Sequence, residues 1–394
     1  MLAAGAVVSR AKVAVMRTGP DSVVKDYARL MRLADFEKAL PRGNPTLLKA
    51  NITWHFWYPA CSTTPWQLAG VIEALQSAGY PRESLTVAHN RTVVVSARLG
   101  ERLNKHRVTA ERYGIANVHL YEPGEEWVRY EPKSRMLVLD RMFPEGILIP
   151  KRMIGSNIIH LPTFKTHVFT TMTGAMKNAF GGLLFERRHW THSVIHETLV
   201  DLLAIQHEIH PGIFAVMDGT FAGDGAGPRA MRWHVKDVIL AGSDCVAVDA
   251  IAARMMGFDP MSLKFIRLAH EAGLGVGDPA EISVVGDEPL AGLAGKALPL
   301  ATPWEGSWKF HTGDTFASRG QKLIYWGPLH RFEKFLLRTA IVPWSYLASI
   351  LYHDCFWYPF VGFWRARGAL KTRWGELFRN FEARLPPSGP QVDP

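Results

Sequence analysis

The chain has 394 residues, of which 47% are hydrophobic and 21% charged, and its formal net charge at pH 7 is +9. That length can bury a large core in one elaborated domain or in two to three ordinary ones, and the composition excludes a disordered or collagen-like chain. The charge is uneven: from Trp304 onward twelve Lys and Arg face seven Asp and Glu, which marks a basic extension. No nucleic-acid-binding motif accompanies it, so a nucleic-acid partner is not expected.

The first strand reads as "KVAVMR" (12–17), directly after "MLAAGAVVSR", which lacks the charged start and apolar run of a secretory signal. "TLLKANI" (46–52) is the second strand, and Pro65 opens a helix that runs to Ala78. "SLTVAH" (84–89), a helix around Arg102–Tyr113 and the strand "NVHLYE" follow. After an irregular stretch, "EGILIP" and "SNIIHLP" resume the strands, and a long helix is expected over Ser193–Glu208. Next come the strand "IFAVMD", the glycine loop "GTFAGDGAGPR", the strand "DVILAG", the helix "SDCVAVDAIAARMMG" and a last core strand, "EISVVG". Ser243 or Asp244 is placed to cap that helix.

Strand–helix alternation of this kind predicts an α/β fold with a layered, mixed or parallel sheet over residues 1–300, in one or two lobes. Residues 301–394 are expected to form an aromatic, basic, helical extension, because seven of the thirteen tryptophans fall between 304 and 374. The apolar run Thr339–Trp364 is interrupted by His353, Asp354 and two prolines, so it fails as a membrane-spanning helix. It reads either as an aromatic cover on the core or a dimer interface, or as an interfacial element on an anionic membrane surface.

The densest chemistry lies in "HLPTFKTHVFTTMTGAMKNAFGG" (160–182), which gathers two lysines, two histidines and five threonines where a strand gives way to small residues. Loops at the carboxyl ends of strands are where open α/β sheets bind ligands. Lys165 and Lys177 are candidates to hold a carboxylate or phosphate, and a desolvated lysine there is a candidate base or nucleophile. His167 is the candidate acid/base, since its ordinary pKa lies near neutrality. For any one of these lysines a solvated surface position is the blander alternative; the density of the segment argues for a site.

Seven of the sixteen histidines lie between 160 and 210, and His192 and His196 are spaced i,i+4. On a helix that spacing presents two imidazoles to a metal, although a third ligand and the peptidase Glu are missing from the pattern. In the glycine loop, Asp218 and Gly225 are candidates for ligand binding through a backbone nest; a long turn needing positive φ is the alternative. Asp249 falls inside a helix and, if buried, needs a partner, for which a lysine or histidine of the site qualifies. Three scattered cysteines (Cys61, Cys245, Cys355) with no C-x-x-C leave no iron–sulfur cluster held by this chain alone, and they suit a reducing, cytoplasmic compartment.

In order along the chain, "LLKANI", "STTPWQLAGVIEAL", "LPTFKTHVFTTMTGAMKNAFGG", "HETLVDLLAIQHEIHPGIFAVMDGTFAGDGAGP" and "ILAGSDCVAVDAIAARMMGFDP" resemble the prokaryotic domain of unknown function 362 family. Lys49 and Asn51 stand where that family shows a K-P-N strand end, with Ala50 replacing the proline, and Asn178 belongs to its K-N-x-x-G turn. The resemblance implies redox work, since many members adjoin a ferredoxin-like module, and here such a module would be a separate partner. A distant likeness to lactate racemase implies a lysine-tethered nickel cofactor, with Lys165 or Lys177 and His167 as counterparts.

The expected function is an enzyme acting on a small anionic metabolite by proton or hydride transfer, of the isomerase or oxidoreductase kind, with a divalent metal or tethered cofactor in question. Lys49 with Asn51 would hold an oxyanion. The alternatives are a non-catalytic metal or cofactor carrier, a redox accessory protein, and a membrane-surface protein, with a homo-oligomer open in each case.

Overall fold

The computed structural model describes residues 11–90, 94–287, 307–338 and 347–387. The expected boundary near residue 300 and the stretch 1–10 lie outside them. The strands are β1 (Ala11–Arg17), β2 (Thr46–Ala50), β3 (Leu85–His89), β4 (Ala116–His119), β5 (Trp127–Tyr130), β6 (Ile147–Pro150), β7 (Asn157–Leu161), β8 (Thr163–His167), β9 (Thr171–Met172), β10 (Ile213–Ala226), β11 (Ala230–Gly242) and β12 (Ile282–Gly286).

Among the described residues the main sheet runs in the order β12-β1-β11-β10-β7-β2-β3-β4, with β8 beside β10 and β9 beside β8. The half from β10 through β7, β2 and β3 to β4 is parallel, while β11 runs antiparallel to both β10 and β1. The sheet is therefore mixed, and its parallel half aligns several strand ends at one edge.

Both faces of the sheet are covered, as a sheet with a parallel half requires. Val13 and Val15 of β1 enter one buried layer, with the helices Ile195–Ile209 and Cys245–Met256; Ala14 and Met16 enter the other, with Val23–Leu33 and Pro65–Ser77. Strand side chains alternate faces, so consecutive apolar residues feed both layers. The helix Pro65–Ser77 starts where expected because Thr64 and Gln67 form a capping box ahead of a first-turn proline. Asp244, rather than Ser243, caps the helix Cys245–Met256, accepting from the N–H groups of Val246 and Ala247 at 2.9 Å each.

Three local expectations are corrected. The glycine loop is strand: "GTFAG" and its flanks lie in β10, which pairs with β11 from Ala215 to Ala226. Its glycines answer to crowding, because a Cβ at Gly219 would sit 2.7 Å from the Phe164 ring and one at Gly223 2.5 Å from Met231 Sδ. They let β8 approach β10 closely. The Ser193–Glu208 helix is in fact a 3-10 segment, Glu186–Val194, followed by an α-helix over Ile195–Ile209. The Arg102–Tyr113 helix is two short ones, Ala97–Leu103 and His106–Tyr113, broken where Lys105 takes a left-handed φ of 62°.

The C-terminal region is helical, with segments Phe316–Tyr325, Glu333–Arg338, 347–350, a π-helical Leu351–Gly362, Phe363–Ala369 and Arg373–Asn380. Its inward side chains join the second buried layer: Trp374 lies 5.3 Å from Trp66 between ring centroids, and Trp357 lies 5.8 Å from Trp54. No helix of the described residues is long and apolar enough to cross a membrane.

Candidate functional site

Lys49 is the penultimate residue of β2, in register with Ala88 of β3 and His160 of β7, so it stands at the carboxyl edge of the parallel half. Its stem is buried against Gly182, where a Cβ would lie 2.6 Å from Lys49 Cε. The Asn178 side chain donates to the Lys49 carbonyl at 2.8 Å, and Asn51 donates to Asn178 Oδ1 at 3.3 Å. Lys165 Nζ completes this chain by donating to Asn51 Oδ1 at 2.7 Å, the Cys61 carbonyl at 2.7 Å and Thr163 Oγ1 at 3.0 Å. An ammonium has three protons, and all three of Lys165 are placed on acceptors.

Two adjoining cavities open at this edge. One, of roughly 210 Å³, is lined among others by Lys49, Asn51, Lys177, Asn178, Arg188 and Arg229. The other, of roughly 230 Å³, is lined by His167, Phe169, Phe180, His192, Tyr325 and His353 among others. Val94, Phe180, Arg188 and Arg229 border both, so the two chambers of this cleft lie side by side. Among the described residues no Asp or Glu lines either chamber.

The electrostatics follow from burial of several cations around one cleft. Burial, with Arg188 adding, pushes Lys49 down to about 7 and Lys177 down to about 8. Burial also carries Lys165 to about 7, opposed by Cys61 and assisted by Lys177. An ammonium that loses water and gains positive neighbours favours its neutral form. His167 is held neutral by burial and then by Lys177, well below the ordinary imidazole range. Its Nδ1 accepts from the backbone N–H of Phe169 at 3.1 Å and of Thr170 at 3.4 Å, so the proton sits on Nε2. His167 is therefore a donor in the unliganded cleft.

The remaining expected residues separate into roles. Asp249 accepts from the N–H groups of Ala175 and Met176, at 2.5 and 3.0 Å, and so anchors the turn that carries Lys177 and Asn178. Gly174 opens that turn at φ +77, and a Cβ there would collide with the Asp249 carboxyl. Burial raises Asp249 to about 7. Asp218 is elsewhere: it is fully buried and accepts from Tyr27 Oη (2.6 Å), Thr64 Oγ1 (2.9 Å), Trp66 Nε1 (3.0 Å) and Thr220, tying two helices to β10. Gly225, at φ +102, accepts from Thr166 Oγ1 at 2.9 Å beneath the cleft instead of lining it. Lys165 lines neither chamber and supports Asn51 from behind.

His192 and His196 do not share one α-helical face, because the first lies in the last turn of the 3-10 segment and the second in the first turn of the α-helix. His192 stacks on Tyr325 at 5.5 Å, and His196 on Phe265 at 6.2 Å. Among the described residues no group of three His, Cys, Asp or Glu is placed to hold a metal ion. The donor set does not fit a divalent metal, and Lys165 does not fit a tether, since its amine faces acceptors rather than the cleft.

Arg188, Arg229, His89, Tyr325 and His353 escaped the reading of the sequence. A signal existed for two of them: Arg188 follows the K-N-x-x-G-G turn by six residues, and Arg229 closes the glycine run. Among the described residues the buried Nη1 of Arg229 has no hydrogen-bond partner, which is costly for a cation unless a ligand supplies one.

The sequence pattern of the domain of unknown function 362 family matches residues 46–254, a stretch that contains Lys49, Lys177, Arg188 and Arg229 in order. The chain belongs to that family. The chain is also 26% identical over 134 residues to a thylakoid-associated protein of Synechocystis sp.. The match covers 32% of this chain and 40% of that protein. All residues lining the cationic chamber lie inside the family stretch, whereas Thr315, Ser318, Gln321, Tyr325, Ser349 and His353 of the aromatic chamber lie beyond it.

Proposed function

We propose that the protein is an enzyme that binds a small anionic metabolite in the cationic chamber and moves a proton on it. The observation that carries this reading is the ring of Lys49, Lys177, Arg188 and Arg229 around one cavity with no carboxylate in its lining among the described residues. Like charges so placed repel until an anion arrives, and the low-dielectric setting strengthens their hold on it. Lys49, Arg188 and Arg229 bind the anionic group in this scheme. Lys177, lowered to about 8 and so deprotonated in a fraction of molecules at physiological pH, takes a proton from the adjoining atom in its neutral form, and His167 Nε2–H donates to the oxygen where charge builds. Lys177 and His167 are the groups that favour proton transfer over hydride transfer, the other reaction expected from the sequence.

The test is NMR-monitored exchange of solvent deuterium into small carboxylic and phosphorylated metabolites. Exchange that Lys177→Met abolishes supports the enzyme. Saturable binding without exchange in any compound would instead support a carrier.

A second reading concerns location. Of the fifteen large hydrophobic side chains exposed among the described residues, twelve fall between Phe316 and Trp364. Leu351, Phe356, Phe360 and Trp364 make an exposed strip of sequence, with the Phe356 and Phe360 rings 5.6 Å apart, and Arg367 packs over Trp364 at 5.6 Å. Interfacial aromatics with flanking arginine suit a headgroup region, so we propose peripheral attachment to anionic membrane. The Synechocystis relative is named as thylakoid-associated, which supports that reading.

A further inference from the structure

The anion reading uses only His167 of the second chamber, and the chemistry of the remaining walls is distinct. Phe169, Phe180, His192 and Tyr325 form a continuous set of ring contacts: His192 stacks on Tyr325 with planes 16° apart, and Phe169 and Phe180 meet His192 edge-on at 5.7 and 5.4 Å. Aromatic walls commonly hold either a cation over their faces or a flat conjugated body between them. A cation is disfavoured here, because Arg188 and Arg229 border the chamber itself and Lys177 lies 5.2 Å from the Phe180 ring.

Resting on the anion reading, we infer that the substrate is a flat aromatic or conjugated acid, with its anionic group in the chamber of Lys49 and Lys177 and its ring in the chamber of Phe169 and Tyr325. The two chambers meet at a shared border of Phe180, Arg188 and Arg229, and the inference has one ligand cross that border, its anionic group on one side and its ring on the other. The division also assigns roles along the chain. The family stretch supplies the whole of the anion chamber, and the C-terminal extension closes the ring chamber with Tyr325 and His353. The extension is then the part that selects which anion enters. A single helical run serves two surfaces, since Ser349 and His353 face the cleft while Leu351 and Phe356 face outward.

The experiment is calorimetric titration of the full chain with two matched pairs: 2-naphthyl phosphate against inorganic phosphate, and 2-naphthoate against acetate. Each naphthyl compound is expected to bind at least tenfold more tightly than its partner. Tyr325→Ala should remove most of that margin while inorganic phosphate stays within about twofold. Gln321→Trp, at a half-buried helical position that lines the chamber, should block the ring by filling space, and it keeps the test decisive if Tyr325→Ala fails to fold. Binding of phosphate or acetate with no naphthyl margin, or a margin unchanged in Gln321→Trp, would overturn the inference and leave the anion reading standing. Failure of all four compounds to bind would overturn both.

Discussion

Asn178 reaches back 129 residues along the chain to donate its side-chain amide to the carbonyl of Lys49, at 2.8 Å. This bond joins the glycine-rich turn to the end of a parallel strand, and so holds Lys177 beside Lys49. Around it, residues of similar appearance in sequence take opposite parts, which mutation can separate.

Lys177→Met is expected to weaken inorganic phosphate binding by about 10- to 100-fold, as loss of a charged hydrogen bond of roughly 1.5–3 kcal/mol implies. Its unliganded melting temperature should stay level or rise, because one of several mutually repelling cations is gone. A clear drop in the unliganded melting temperature with phosphate affinity intact would place Lys177 in the scaffold.

Lys165→Met should behave in the reverse sense. It leaves Asn51 Oδ1, the Cys61 carbonyl and Thr163 Oγ1 without their donor in a buried setting. Unsatisfied buried acceptors cost on the order of 1–3 kcal/mol each before relaxation, so urea denaturation should show a loss of several kcal/mol. An unchanged midpoint would contradict the support role.

Stability of the unliganded protein should rise between pH 7 and about 8.5. In the unfolded chain the lysines keep their ordinary pKa of 10.5, whereas in the fold Lys49 and Lys165 titrate near 7 and Lys177 near 8. The unfolded state thus binds more protons across this interval, and stability increases with pH, by about 1 kcal/mol per unit for each lysine that has lost its proton. Asp249, near 7, loses its remaining proton in the lower part of the interval and opposes the rise there by less than the lysines contribute. The buried histidines, depressed below 6.5, add to it near pH 7 as their unfolded counterparts finish titrating. Cys61, pushed up to about 12, opposes it increasingly towards the upper end. Urea melts at stepped pH would show the rise, and Lys49→Met should flatten part of it. A fall in stability over the same interval would contradict the depressed lysines.

Trp374→Ala should cost about 3–5 kcal/mol, the usual range for emptying a buried aromatic site. Trp374 is buried on Trp66 and donates its Nε1 to Asp237 Oδ1 at 2.6 Å, so its loss opens the layer that also covers the helix Pro65–Ser77. Chemical denaturation measures the loss; a change below about 1 kcal/mol would mean that the extension merely rests on the core.

The exposed strip predicts salt-sensitive flotation with vesicles rich in phosphatidylglycerol, with each basic residue near the charged surface contributing about 1 kcal/mol. Replacing Phe356, Phe360 and Trp364 together with serine should abolish flotation without lowering phosphate affinity. Flotation unaffected by the triple change would remove this strip as the contact.

Much of the fold was legible because its cause is local. Thr64 with Pro65 announces a helix start, and "TLLKA" and "SNIIHL" read as buried strands because consecutive apolar residues feed two covered faces. The glycine run of β10 misled for a physical reason: glycine signals a turn when its cause is local backbone, whereas here the cause is Phe164 and Met231 crowding in from other strands.

By itself the sequence determined the family, the alternating α/β order, and the gathering of Lys49, Asn51, Lys177 and Asn178 at strand ends and glycine turns, since those depend on neighbours within a few residues. Only the tertiary structure decided that Lys177 faces the cleft while Lys165 stands behind it, that Asp218 is a structural hub, and that Tyr325 and His353 come from the extension to wall the second chamber. Those outcomes rest on burial and on acceptors supplied from tens to more than a hundred residues away, and a charge or hydrogen bond takes its energy from that surrounding, not from its place in the chain.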